Sequence, residues 1–210
     1  MTRCRVALLA AALLVAVASV PSMTRAQSSS ATPFSNTAID AGPTIPLSGF
    51  STDRPNNTAQ AAAANNAGLV LWYIGQGFDP DQPDYTGYTA LMYAAINNNT
   101  MIANLLLTHS AHTDVRDKLG NTALHLAADR GSIDVMRQLL DAKAPVDAQN
   151  RQGVTPLMVA ATNGRAEAVK LLLKYNADTG KQDYTGRDAL GWAGNKTAVV
   201  QLLKNPASTR

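Results

Sequence analysis

Hydrophobic and polar positions repeat along this chain with a period far longer than that of a helix or a strand. Gly87, Gly120, Gly153 and Gly186 follow one another at intervals of 33 residues. Paired leucines stand half a period later, and they are Leu106-Leu107, Leu139-Leu140 and Leu172-Leu173. A fixed period of about 20 to 50 residues is typical of repeat architectures, so the pattern predicts a stack of small units.

Each period predicts a tight turn followed by two helices. The glycine favours a reversal that needs positive φ, and a threonine two residues later can cap a short first helix that carries paired alanines. The expected caps are Thr89, Thr122 and Thr155, the expected ends of the first helices are Asn98, Gly131 and Gly164, and the second helices are expected to begin near Met101, Ile133 and Ala166. Since one unit cannot bury the apolar face of its second helix alone, the predicted fold class is an all-α helix-turn-helix solenoid.

The repeated unit resembles the ankyrin repeat, whose signature is Thr-Pro-Leu-His followed by Ala-Ala. Thr155-Pro156-Leu157 keeps the proline of that signature, and Thr122-Ala123-Leu124-His125 keeps its histidine. The resemblance extends over residues 57 to about 205. It implies a stack of antiparallel helix pairs that serves as a protein-binding scaffold.

The period divides this region into about five units with degenerate terminal caps. They span residues 57–83, 84–116, 117–149, 150–182 and 183–205, and a short tail of residues 206–210 follows. The first unit lacks the turn signature, and the last is three residues short between its glycine and its leucine pair. Degenerate ends are expected, because terminal units must present a polar face to water.

The first 26 residues have the layout of a signal peptide. Arg3 and Arg5 precede an apolar run from Val6 to Val20, and small residues lead to an expected cleavage site after Ala26. The run is shorter than the roughly 20 apolar residues that span a bilayer, which makes an uncleaved anchor the alternative. We therefore expect a protein that is exported to the periplasm or secreted, without stable membrane insertion after cleavage.

Residues 27–56 predict a flexible tether. Ser, Thr, Pro, Gly and Asn account for 18 of these 30 positions, and no apolar period is sustained. The alternative is a strap in which Ile45, Leu47 and Phe50 dock on the folded part.

Composition and charge narrow the classes of function. The net charge of +3 comes from Arg3, Arg5 and Arg25, so the chain after the leader has 15 basic and 15 acidic residues and offers no basis for nucleic-acid binding. Cleavage also removes Cys4, the one cysteine, and with it any disulfide or thiol nucleophile.

Few residues suggest catalysis, and we expect neither an enzyme nor a cofactor. His125 occupies the histidine position of the repeat, where a ring nitrogen can bond the neighbouring turn. His109 and His112, followed by Asp114, have a spacing that could supply ligands to zinc, but they lie where a helix ends. A metal-dependent or hydrolytic enzyme remains the alternative from another class.

The predicted site is the surface formed by the turns and first helices, which should line one concave side of the stack. Tyrosine and arginine are enriched in binding hot spots, and both recur at these positions. The predicted binding residues are Tyr85, Tyr88, Lys118, Leu119, Arg130, Arg151, Gln152, Tyr184 and Arg187. Trp192, by contrast, has the register of the stack core.

We therefore predict a monomer that binds a protein partner of unknown identity. An immunity or protective protein for one exported enzyme or toxin is the narrower alternative.

Overall fold

The computed structural model of the protein describes residues 57–205, and in this range every regular element is a helix. The helices are α1 (Thr58–Ala63), α2 (Ala67–Gly75), α3 (Ala90–Ile96), α4 (Thr100–Thr108), α5 (Ala123–Arg130), α6 (Ile133–Asp141), α7 (Pro156–Thr162), α8 (Ala166–Lys174), α9 (Ala189–Ala193) and α10 (Thr197–Lys204). The all-helical prediction is confirmed for this range. The expected leader (residues 1–26), tether (27–56) and tail (206–210) lie outside it.

The helices form two rows. The odd-numbered helices pack in sequence from α1 to α9, and the even-numbered helices pack in sequence from α2 to α10. Each odd-numbered helix also contacts the even-numbered helix that follows it in the chain. Below we call the first row the inner helices and the second row the outer helices.

Small and branched residues alternate in the core between the rows. Ala127 and Ala128 of α5 are fully buried, as are Leu124 of the same helix and Leu139 of α6. Alanine lets two helix backbones approach closely, while the leucines fill the space between the rows. The paired alanines and paired leucines of the sequence therefore contribute to one continuous core.

The predicted caps of the inner helices are confirmed. The hydroxyl oxygen of Thr89 accepts a hydrogen bond from the amide of Met92 at 3.4 Å, and that of Thr155 accepts from Met158 at 3.3 Å. Thr122 caps α5 in a reciprocal arrangement with His125. These bonds satisfy amide groups that have no partner within the helix.

The predicted ends of the inner helices are confirmed as well. Asn98, Gly131 and Gly164 all have positive φ, with values of 51°, 74° and 65°. In this conformation the backbone leaves the helix and turns toward the outer row.

Side chains at a fixed spacing link the second unit to the third and the third unit to the fourth. The guanidinium of Arg116 donates to the carbonyl of Gly120 at 3.2 Å and to the carbonyl of Gln149, 33 residues further on. The side-chain amide of Gln149 repeats this pattern: it donates to the carbonyl of Gly153 at 2.8 Å and to the carbonyl of Gln182 at 3.0 Å. We call this series the carbonyl ladder.

The last inner helix is shorter than the others, and glycine replaces a larger residue at two positions, one inside the helix and one at its C-cap. Gly191 stands where the other units bury Met92, His125 or Met158, and Gly194 ends the helix. A Cβ atom added at Gly194 would meet nothing within 4 Å.

Within residues 57–205 no helix has the length and apolar character that crossing a membrane requires.

Candidate functional site

Each turn between units is organised around one acidic or amide side chain, and the acidic ones, Asp84, Asp117 and Asp183, are buried. In the third unit, Oδ1 of Asp117 accepts hydrogen bonds from the amides of Leu119 and Asn121, both at 2.8 Å. Asp183 does the same in the last unit with the amides of Thr185 at 2.8 Å and Arg187 at 2.9 Å. These bonds fix the backbone of the turn, so the side chains at its tip project from a rigid base.

Hydrogen bonds keep two of the turn carboxylates, those of Asp84 and Asp183, ionised. Although burial by itself raises the pKa of a carboxyl group, hydrogen bonds from the Thr185 side chain and the nearby backbone amides lower the pKa of Asp183 to about 2. The pKa of Asp84 is also lowered, because hydrogen bonds from the side chains of Thr86 and Tyr93 outweigh its burial.

Backbone and side-chain bonds join successive turns into one row. The amide of Arg151 donates to the carbonyl of Leu119 at 3.0 Å, and the amide of Tyr184 donates to the carbonyl of Gln152 at 3.1 Å. The ammonium of Lys118 donates to the carbonyl of Tyr85 at 2.8 Å. The structure thus brings together six of the predicted binding residues in neighbouring pairs.

Large apolar side chains stand exposed along this row. Tyr85 is 82% exposed, Leu119 is 65% exposed and Tyr184 is 75% exposed. Lys118, Arg151 and Gln152 are exposed beside them. We call the nine predicted residues together the turn surface: Tyr85, Tyr88, Lys118, Leu119, Arg130, Arg151, Gln152, Tyr184 and Arg187.

Tyr88 differs from the other tyrosines of the turn surface. Its ring is half-buried, meets the ring of Tyr93 edge to face at 5.5 Å and packs against the core. Tyr88 therefore contributes to the fold as well as to the surface.

Trp192 packs against the stack core, as its register predicts, and its polar edge also reaches the turn of the last unit. The indole is only half-buried, and its Nε1 donates to Asp183 at 2.9 Å. The guanidinium of Arg187 lies over the ring, 4.0 Å from its centre, and also pairs with Asp183. Tyr93 makes the equivalent bond to Asp84 at 2.7 Å. A nine-residue spacing between acid and aromatic residue is the sequence signal for both pairs.

Arg130 lies at the end of α5, apart from the turn tips. It is exposed, and its Nε is 3.6 Å from the carboxylate of Asp129. The carboxylate of Asp129 also accepts a hydrogen bond from the side-chain amide of Asn163 at 2.9 Å. The backbone carbonyl of Asp129 accepts one from Nε of Arg165 at 3.2 Å. Arg165 was not among the predicted residues, because its position at the start of α8 indicates an outer helix.

The histidines engage in structural contacts. Nε2 of the buried His125 donates to the carbonyl of Val154 in the next turn at 3.0 Å, and Nδ1 accepts from the amide of Thr122 at 3.1 Å. Burial lowers the pKa of His125 to about 4, so the ring is neutral. Its predicted contact with the neighbouring turn is confirmed.

The proposed zinc ligands have other partners. Nδ1 of His109 bonds the carbonyl of Leu105 at 2.8 Å, whereas Nδ1 of His112 pairs with Asp81, which raises the pKa of His112. Within residues 57–205 no group of three or more histidine, cysteine or acidic residues is arranged to hold a metal ion.

Comparison with known families identifies the repeat. A family model described as ankyrin repeats (3 copies) matches residues 59–150 and again residues 142–209. No curated protein matches the chain.

Proposed function

Since the chain belongs to the ankyrin repeat family, whose repeats generally mediate protein–protein interaction, we propose that it is an exported scaffold that binds a partner protein through its turn surface. The observation that carries the proposal is the row of exposed large side chains at the turns, Tyr85, Leu119 and Tyr184. Hydrogen bonds join each of these turns to the next.

The rigidity of this row supports binding. A partner that covers these side chains removes large apolar areas from water, and the fixed turns lose little conformational entropy when it binds. Exposed cations beside the tips, such as Lys118 and Arg151, supply charged hydrogen-bond donors at the same place. These are the features that concentrate binding energy in a few residues.

We further propose that the scaffold has no catalytic activity of its own. In the described residues the buried histidine is neutral and fully bonded, and the turn carboxylates accept bonds from their own backbone. Such groups act as structural caps, since a general base needs a free lone pair directed at a substrate.

Export and unit number complete the proposal. A stack of five units, capped at both ends, would follow a leader that is removed after Ala26. The intact mass of the protein from the cell envelope tests the leader, with an N-terminus at Gln27 expected. A membrane-bound species that retains residues 1–26 would contradict it.

The binding proposal is tested by affinity capture from the envelope followed by calorimetry. We expect Tyr85→Ala and Tyr184→Ala each to weaken binding of the captured partner by about 1–3 kcal/mol. Lys170→Ala and Lys174→Ala on α8 are the matched controls, because both residues are exposed on the outer row. A larger loss from the lysine variants than from the tyrosine variants would place the partner on the outer helices instead.

A further inference from the structure

Helix α2 has an apolar face that the other outer helices lack. Its sequence, Ala-Gly-Leu-Val-Leu-Trp-Tyr-Ile-Gly, contains no charged residue. Val70 and Tyr73 are buried against the stack, yet Leu71 remains 50% exposed and Trp72 45% exposed on the other side. This helix is therefore apolar on the side that faces away from the core as well as on the side that faces it.

The exposed side forms a continuous stripe. Gly68, Leu71, Trp72 and Gly75 follow one another at the spacing that places residues on one helix face, and all four are exposed. A Cβ atom added at Gly75 would meet nothing within 4 Å. Because Gly68 and Gly75 have no side chains, the helix surface on either side of Leu71 and Trp72 is flat. Such a surface suits an extended chain that lies across the helix.

An aromatic side chain from the following loop extends the stripe. Phe78 is 40% exposed, and its ring contacts Tyr73 at 5.0 Å, while Tyr73 in turn contacts Trp72 at 5.1 Å. The other units have a buried alanine at the position of Phe78, namely Ala111, Ala144 or Ala177. We call Gly68, Leu71, Trp72, Gly75 and Phe78 the α2 face.

The position of Leu71 is polar in the three units that follow, although the position of Trp72 is taken by Leu105, Gln138 and Leu171. Leu71 corresponds to Asn104 of α4, Arg137 of α6 and Lys170 of α8. In α6 and α8 these residues form ion pairs with acids three positions earlier, Arg137 with Asp134 and Lys170 with Glu167. Since a terminal unit needs a polar outer face when it borders water, the α2 face is arranged as a covered surface.

We propose that residues 43–56 of this same chain bind along the α2 face as a strap. The described chain begins at Asn57, at the start of α1, and α1 packs directly against α2. The strap is therefore tethered beside the face that it covers, so its effective concentration there is high.

The length and composition of this segment fit the face. Leu47 precedes Asn57 by ten residues, which reach about 33 Å when extended, whereas the nine residues of α2 span about 14 Å. Pro43 and Pro46 disfavour a helix, and in an extended chain Ile45 and Leu47 point to the same side. No charge occurs from Pro43 to Thr52, so this part of the strap meets an uncharged face without burying an ion.

Quenching of Trp72 fluorescence by acrylamide tests the strap. The full chain is used with Trp192→Phe as a common background, so that Trp72 is the one emitter. Replacing Ile45, Leu47 and Phe50 together by serine should raise the quenching constant about twofold. The matched control replaces Phe34 and Ile39 by serine, which removes apolar residues outside the strap, and should leave quenching unchanged.

Chymotrypsin gives a second measurement from the strap itself. Cleavage after Leu47 and Phe50 should be several-fold slower in the native chain than in the Leu71→Lys variant. Leu71→Lys is expected to fold, because the equivalent position of α8 is already Lys170. Equal cleavage rates, or equal quenching in the native chain and the serine variant, would overturn the proposal. Protection of Trp72 that increases with protein concentration would also overturn it, since a second copy would then be the occupant.

Discussion

At the scale of single residues, His125 shows how a buried ionisable group can hold two units together. Its two nitrogens bond the Thr122 amide of its own unit and the Val154 carbonyl of the next. An imidazole that uses one nitrogen as donor and the other as acceptor must be neutral. Protonation would break the bond to Thr122 and place a charge in the core.

The stability of the protein should therefore depend on pH in a defined window. The pKa of His125 is about 4 in the folded protein against 6.5 for the free side chain, so the unfolded chain binds more protons between these values. The contribution is fully present above pH 6.5, is lost as the pH falls toward 4, and amounts to at most about 3 kcal/mol. Urea unfolding at a series of pH values measures it.

The variant His125→Gln is the control for this window. Glutamine suits the same capping position and does not titrate. His112 is present in both proteins, so its contribution to the pH dependence cancels in the difference. Identical pH dependence of the two unfolding free energies would show that His125 is not responsible.

Two tyrosines of the turn surface should separate folding from binding. Tyr88→Ala removes a half-buried ring that packs on Tyr93 and should lower the free energy of unfolding by about 1–3 kcal/mol. Tyr85→Ala removes an exposed ring and should change it by less than about 0.5 kcal/mol. Chemical denaturation of both variants measures the contrast, and equal losses would contradict it.

Residue identity and register predict some of these roles but not all. The position of His125 in the repeat was sufficient to predict its bond to the next turn. The burial of Tyr88 and the exposure of one side of Trp192 were not predictable, because register gives the helix face and not the direction in which a large ring leans. Trp192 packs against the core and also donates to Asp183, a partner that only the folded turn supplies.

At the scale of elements, the turns depend on the unit that follows them. Gly120 has a φ of +83°, and an added Cβ atom would lie 2.8 Å from the backbone nitrogen of Arg151. Gly186 has nearly the same φ, +82°, but no following unit, and an added Cβ atom would meet nothing within 4 Å. The two glycines thus share one conformation and differ in their surroundings.

Alanine at these two positions should measure the cost of displacing the neighbouring turn. Gly186→Ala is expected to destabilise by about 1–2 kcal/mol through backbone conformation alone. Gly120→Ala should cost at least about 3 kcal/mol, because the Arg151 backbone must also move. Equal losses in thermal or urea unfolding would show that the close contact relaxes without cost.

The starts of α4, α6 and α8 were predictable to within a residue. The expected starts near Met101, Ile133 and Ala166 compare with observed starts at Thr100, Ile133 and Ala166. Local signals, namely a capping residue and the apolar period, determine these positions. The carbonyl ladder was not predictable, because it depends on the distance between a side chain and the backbone of another unit.

At the scale of the described stack, each end matters to the units beside it. Leu172 of α8 is fully buried, and α8 packs against α10, as α7 does against α9. Deleting residues 183–210 would expose this row of contacts. We expect the shortened protein to unfold at a lower temperature and to associate in solution.

Sedimentation and calorimetry of the shortened protein check this expectation. A monomer with an unchanged melting temperature would show that the last unit is not a cap. The full-length chain is the reference in the same buffer, since removing the unit also changes the net charge.

The carbonyl ladder bears on how such a chain can change its length during evolution. Arg116 and Gln149 both donate to backbone carbonyls, which every residue type provides, rather than to particular side chains. A duplicated segment of 33 residues inserted in frame would therefore find the same acceptors at both junctions, provided that it has a donor such as arginine or glutamine at this position. Whole units can be gained or lost by recombination, while insertions of other lengths within a helix would break the alignment of donors with carbonyls.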